Sequence, residues 1–562
     1  MKLKGFKLLL VISAGVFSNN ILAQSIDEVL NRGEVHGNFG MDMQYYQVDS
    51  LIGAATTPDE DVLMNGFANF TYTNGNFSAG FRYESYLNAL QGFPTGYKGN
   101  GIGYRFASYT KDDMTVTVGN YYEQFGNGLI FRTYEARGLG YDNVMDGLRV
   151  NYKLREGLYV KGIIGTQRLF FGQGEGVLRG VDGELMVNDF IGGTLKDSKT
   201  KLTLGGSFIS KYQADQSSQY NLPENVGAYA GRFLLRYRKV SFNGEYAYKI
   251  NDPSADNGFI FKEGQAFFAE TAYSTKGFGI TLSAKGNDNW SFRSDRGAAL
   301  QDLQINYIPA LTRQHTYNLL ATLYPYATQP NGEMAFQGEL VYKLKKKSFL
   351  GGKYGTSILL NYSTIYNIDS TALPATDTTQ MGYTSNLFSI GDERYYDEIN
   401  VEITKKFSKK LKGIFTYSNL MFNQAVVQGK QPSKYPNVYA DIAVIDLTYK
   451  INKKHALRTE IQGLFTQQDQ QEWATLLIEY SFSPHWFIAI MDQYNYGNTS
   501  KDVNGNFNQR IHYYFASAGY VRGTNRFQLG YGRQRAGIFC VGGVCRTVPA
   551  ANGLTLSITS SF

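Results

Sequence analysis

Two cysteines, three tryptophans, five histidines and twelve prolines are few for a chain of 562 residues, and each scarcity removes a class of explanation. Cys540 and Cys545 fall together in Cys-Val-Gly-Gly-Val-Cys. With no histidine beside them they supply half of a tetrahedral metal shell, whereas in an exported chain such a pair is expected to close a local disulfide across Gly542-Gly543. The histidines His36, His315, His455, His485 and His512 are scattered and have no metal-ligand spacing. His36 and His512 are expected on polar strand faces, and His455 and His485 near short turns. There is no His-Glu-x-x-His, no phosphate loop ending in Gly-Lys-Ser/Thr and no Gly-x-Ser-x-Gly elbow. The expectation is therefore no enzyme, no catalytic residue, no cofactor and no metal. Gly172, Gly174 and Gly176 read as a loop without a following helix, and Asp502-Val503-Asn504-Gly505, lacking a downstream glutamate, reads as a turn.

Long apolar runs are also missing. The one apolar run, Leu8 to Phe17, follows Lys2, Lys4 and Lys7 and precedes Ile21-Leu22-Ala23. That order is the mark of an export signal, residues 1–23, with the mature chain beginning at Gln24. Nothing else approaches the roughly 18 apolar residues of a membrane helix, which excludes a helical membrane protein. Loss of three signal lysines lowers the formal charge from +7 to +4, too little to imply nucleic acid as a partner.

What the chain has instead is 61 glycines, 43 tyrosines and 37 phenylalanines, spread evenly with no linker-like break. That bias favours strands and interfacial rings. From Glu34 to Tyr46, Val35, Gly37, Phe39, Met41, Met43 and Tyr45 alternate with Glu34, His36, Asn38, Asp42 and Gln44. The same period of two runs through Phe77 to Glu84 and through Leu457 to Phe465. A soluble sandwich also alternates, but some twenty or more such segments, each about ten residues long, have too many apolar faces to bury without lipid. In lipid every backbone group is paired within the sheet, so the sheet closes and its polar faces line a lumen.

The expected fold is a single transmembrane antiparallel up-and-down β-barrel of about 24 to 26 strands over residues 24–562, in the cell outer membrane. Short connections are expected at Asn74-Gly75, Lys111-Asp112-Asp113, Arg155-Glu156-Gly157, Lys276-Gly277, Asn452-Lys453-Lys454 and Gly523-Thr524-Asn525. Long polar loops are expected at Asp49 to Asp61, Gln213 to Glu224, Asn367 to Glu393 and Gln424 to Pro436. Basic turns at Arg236 to Lys239, Lys343 to Lys347 and Lys405 to Lys412 are either solvated or in contact with anionic headgroups. Leu554, Leu556 and Ile558 alternate toward the terminal Phe562, resembling the terminal-strand signal that the barrel-assembly machinery recognises; Ser560 departs from it. Leu303 to Glu333 fits no strand clearly, because Pro309, Pro325 and Pro330 interrupt pairing.

Glu123 to Arg149 fits neither a lipid-facing strand nor a simple polar loop. It holds Glu123, Arg132, Glu135, Arg137, Asp142, Asp146 and Arg149 among Gly126, Gly128, Gly138 and Gly140, and it is the third long-side connection. In general porins that connection folds inward, so Glu123, Arg132, Glu135, Arg137 and Arg149 are candidate pore-lining or constriction residues. The alternative is that they extend two strands and pair with one another at the rim.

Glu123-Gln124-Phe125-Gly126-Asn127-Gly128, Arg132-Thr133-Tyr134-Glu135, Ala321-Thr322-Leu323-Tyr324-Pro325-Tyr326-Ala327 and Gln329-Pro330-Asn331-Gly332-Glu333 resemble a family of large outer-membrane barrels of Bacteroidota with no assigned activity. The resemblance implies fold and location over nearly the whole mature chain, and no site. Two functions follow from the residues: a porin-like channel for small polar solutes, or a non-conducting structural or accessory subunit of an outer-membrane protein assembly. Expected partners are outer-membrane lipid, the barrel-assembly machinery and outer-membrane proteins. Alternation that starts about ten residues after the cleavage site leaves no room for an amino-terminal plug domain.

Overall fold

A computed structural model describes residues 33–562 apart from 299, 375, 500–509 and 542–543, and gives side chains for all of these except 539–541 and 544–546. The export signal and Asp502-Val503-Asn504-Gly505 lie outside the described residues. Among the described residues, 24 antiparallel strands form one sheet, numbered here from β1 (Glu34–Gln47) to β24 (Ala551–Ser561). The first strand pairs with the last, Asn38 opposite Ser561 and Gln47 opposite Asn552, so the sheet is closed and has no free edge.

Alternation decides which way each side chain points. The outward parity leaves large apolar side chains exposed around the barrel, among them Phe39, Val118, Leu148, Ile164, Val181, Leu282, Ile445, Ile461, Ile478, Ile490 and Leu529. Water is the wrong solvent for a belt of this extent, because apolar patches on soluble monomers rarely exceed a few hundred Å². No helix among the described residues is long and apolar enough to cross a membrane.

Connections at one end are short, apart from 187–199 and 344–355, and the first strand starts and the last strand ends there. Glu34 stands opposite Thr73, next to the Asn74-Gly75 turn, and Phe562 exchanges two 2.9 Å backbone hydrogen bonds with Gly37. Its ring packs 5.9 Å from that of Phe70. All the short turns expected from sequence, and the three basic stretches, lie at this turn end. The opposite, loop end has one exception to the alternation of short and long, since 170–171 is a tight hairpin between Leu158–Leu169 and Gly172–Met186.

Three local expectations are corrected. Asn367 to Glu393 is mostly strand: Thr356–Ala372 (β15) and Tyr383–Lys406 (β16) continue as a bulged hairpin, and only the tip is irregular. Gly172, Gly174 and Gly176 are not a free loop but the bulged start of β8 (Gly172–Met186). His512 faces outward at the loop end, stacked on Tyr494 at 3.9 Å and bonded to Asp492 at 2.7 Å. Its parity is the apolar one, and the pairing with Asp492 makes the position tolerable.

Candidate functional site

The lumen is where this barrel departs from an open tube. Two connections at the loop end turn inward, the third between β5 (Met114–Tyr121) and β6 (Met145–Arg155), and the seventh between β13 (Phe278–Asp288) and β14 (Gly332–Lys343).

The third loop reverses at Gly126 and Gly128, both in the left-handed region, where Phe125 N–H donates to the Phe131 carbonyl at 3.0 Å. The hairpin presents Phe125, Leu129, Ile130 and Phe131, each at most 1% exposed. Asn127 donates its backbone and side-chain N–H groups to Glu245 Oε2 at 2.6 and 2.9 Å. Glu245 belongs to β11 (Val240–Lys249), so the hairpin reaches the wall well away from the strands that carry it.

The seventh loop is joined to the third by backbone pairing. Arg132 N–H donates to the Ile305 carbonyl and Tyr307 N–H to the Gly128 carbonyl, both at 2.9 Å. Trp290, Phe292, Ile305, Leu311, Leu319 and Leu323 are buried in one apolar core with the third loop and with inward side chains of the wall. The wall yields space where the loop passes closest. A Cβ on Gly176 would lie 1.9 Å from the Ser294 carbonyl oxygen, and one on Gly174 would lie 2.9 Å from Leu303. These glycines serve close approach of a second backbone, not a turn.

A loop inside a barrel has carbonyls that no strand can pair, and buried carbonyls need donors. Three inward lysines on alternate strands, all at most 1% exposed, supply them. Lys211 on β9 (Thr200–Tyr212) donates to Arg293 O at 2.9 Å, Lys249 on β11 to Ser291 O at 2.5 Å, and Lys285 on β13 to Pro309 O. Asp252 lies 2.6 Å from Lys211 and 3.6 Å from Lys249, and Glu333 lies 2.5 Å from Lys285. Further along, Arg313 meets Glu339 at 3.3 Å and Glu402 at 3.0 Å, and His315 meets Glu398 at 2.6 Å. Leu319 N–H then donates to Gln462 Oε1 at 2.9 Å, and Arg535 donates to the Thr322 carbonyl at 3.0 Å. The loop thus crosses the interior from β14 to the end of Asn525–Gln534 (β23).

The five residues singled out from sequence are brought inside the barrel as pairs. Glu123 is 2.8 Å from Lys161 and 3.6 Å from Arg149. Glu135 is 2.8 Å from Arg137 and 3.0 Å from Arg82, and the Arg137 guanidinium also lies 3.4 Å over the Phe67 ring. Arg132 is apart from both, stacked 4.0 Å from Tyr307 and 4.7 Å from Tyr134. The segment turns inward, and within it Glu123 pairs with Arg149 and Glu135 with Arg137. Sequence reading missed the partners on the wall. Arg82 contacts Glu84 and Asp142 at 2.5 Å each, and Arg168 contacts the same two carboxylates at 2.5 and 2.9 Å, all nearly buried. Adjacent positions of one parity, Arg82 and Glu84, carrying opposite charge was the available signal.

The last loop is a hairpin, Gly537–Val541 with Val544–Val548, whose backbone register sets Cys540 opposite Cys545. The side chains of both cysteines, and so the expected disulfide, lie outside the described residues.

A family model matches residues 2–562. The chain belongs to DUF6029, a family of unknown function. No curated protein matches it. Among solved structures it is similar to the translocation pore of the P pilus usher PapC, at 9% identity over 94% of this chain and 99% of that chain, with a TM-score of 0.45. It is similar to a mutant of the ferric enterobactin receptor PfeA from Pseudomonas aeruginosa at 11% identity, over 94% and 80% of the two chains, with a TM-score of 0.42. The outer membrane protein opdK from Pseudomonas aeruginosa matches at 9% identity over 80% and 98%, with a TM-score of 0.34.

Proposed function

We propose that this chain is an integral outer-membrane barrel that conducts small polar solutes and is narrowed by its own third and seventh loops. The outward apolar belt and the edgeless sheet support membrane insertion, with the turn end facing the periplasm as in other such barrels. The basic turns then lie against anionic inner-leaflet headgroups, and the strand ending at Phe562 is the part the assembly machinery recognises.

One observation carries the channel reading: the loops do not cover the whole wall. On β1 and β23 the inward side chains Asn38, Asp42 and Arg526 are exposed to solvent, whereas the inward side chains Ile442 and Val444 on Val438–Lys450 (β18) are dry. A polar strip beside a packed plug suits small hydrated solutes and excludes large ones. Planar-bilayer recording of the purified barrel tests this. Reproducible small conductance steps support it, and a folded barrel that stays silent even after the seventh loop is shortened overturns it.

The dryness of the core built on Trp290, Phe292 and Phe125 favours a second reading, a non-conducting structural subunit. In that case the loops are permanent filling. Stable outer-membrane partners would co-purify from native membranes, and loop removal would cost assembly without opening a path.

A further inference from the structure

A cavity of about 400 Å³ persists where the third loop, the seventh loop and the last hairpin meet the wall. Its apolar lining comes from Met491, Phe515, Ile538 and Val548. Two polar side chains in the lining have hydrogen-bonding capacity that the protein leaves unused. Gln493 is 4% exposed, and its Nε2 donor has no partner among the described residues. Arg535 spends Nη2 on Thr322, at 3.0 Å to the carbonyl and 2.9 Å to the hydroxyl, and one Nη1–H on the Ala536 carbonyl at 3.3 Å, which leaves its Nε–H and the other Nη1–H; its guanidinium lies 5.4 Å from the Trp473 ring. Unlike Arg82, Arg168, Arg232 and Arg313, Arg535 has no carboxylate at ion-pair distance among the described residues. Burial without such a partner pulls its pKa below the ordinary arginine range.

A half-buried guanidinium without a carboxylate and a buried amide donor without an acceptor are each costly, and one anion placed between them would relieve both. The lining restricts which anion. Arg533 also lines the cavity but is paired with Asp49 at 2.7 Å, so Arg535 is the cation left to meet a single negative charge through its remaining N–H groups, and the four apolar side chains disfavour a fully hydrated ion such as phosphate. We propose that this cavity binds a small organic carboxylate carrying an apolar group, its oxygens accepting from Arg535 and Gln493 and its apolar part lying against Phe515 and Ile538. This names a solute class for the channel reading and rests on that reading only for what happens to the solute next.

Binding can be measured without transport, so the two readings fail separately. Acetate, butyrate, benzoate, benzamide and inorganic phosphate are titrated calorimetrically into the folded barrel in detergent. Saturable one-to-one binding of butyrate or benzoate is expected, with benzamide and phosphate at least tenfold weaker. Arg535→Gln should weaken the carboxylate at least tenfold. Ile538→Trp, which fills the cavity and leaves every charge in place, should abolish binding in a barrel whose heat-modifiable migration confirms folding. Equal affinity for benzamide, undiminished binding by Ile538→Trp, or no saturable binding of any carboxylate by the folded wild-type barrel overturns the proposal.

Discussion

The indole N–H of Trp290 donates to the carbonyl of Leu129 at 3.0 Å, and this bond fastens the seventh loop to the third inside the barrel. Both residues are at most 1% exposed, so neither group has water as an alternative partner. Trp290→Phe should therefore loosen the docking by about 1–3 kcal/mol, the cost of leaving a buried acceptor unpaired. Faster trypsin cleavage at Arg132 and Arg293 in an otherwise heat-modifiable barrel is the expected result. Cleavage at the wild-type rate would mean that the loops are held elsewhere.

Gly176 is where wall and loop backbones are closest. Leucine there cannot coexist with the Ser294 carbonyl, so Gly176→Leu should displace the seventh loop while leaving β8 paired to both neighbours. The check is conductance, which should rise in this variant, together with normal amounts of assembled barrel.

Arg82 pairs with Glu84, Asp142 and Glu135, and the first two carboxylates are nearly buried with it. Arg82→Met leaves uncompensated buried charge and should cost about 3–5 kcal/mol locally. Arg82→Lys should restore little, because an ammonium cannot present a fork to three carboxylates. Hydrogen exchange over residues 135–142 measures this, with loss of protection expected in both variants.

At the closure, Phe562 completes the pairing of β24 with β1 through Gly37. Removing Phe562, or replacing Leu556 and Ile558 with aspartate at about 1–2 kcal/mol each for a charge on the lipid face, should lower the yield of heat-modifiable barrel severalfold. Wild-type yield would show that the terminal strand is not what assembly reads.

Much of the barrel was legible because a strand with lipid on one side advertises its period, as Glu34 to Tyr46 does. The lumen was not, because a polar inward face looks the same whether it meets water or a buried loop. Lys211, Lys249 and Lys285 lie on inward faces that alternation alone assigns to the lumen, and they are donors to loop carbonyls. The clue that went unread was a strand apolar on both faces. In β18, Val438, Ala440, Ile442 and Val444 point inward and are buried, while Tyr439, Ala443 and Ile445 point to lipid. Such a strand needs cover inside as well as outside. The stretch from Leu303 to Glu333 was likewise conspicuous for Leu311, Leu319, Leu320 and Leu323, apolar residues that a solvated loop would not hold, and its prolines fit a loop better than a ladder.

Single-channel conductance of the purified wild-type barrel beside a variant in which residues 295–325 are replaced by a short glycine-serine linker tests the account most directly. If the seventh loop narrows the lumen, the wild type gives small steps and the shortened barrel, still heat-modifiable, conducts at least severalfold more. Equal conductance in the two, or silence in both, would contradict a channel narrowed by its own loops.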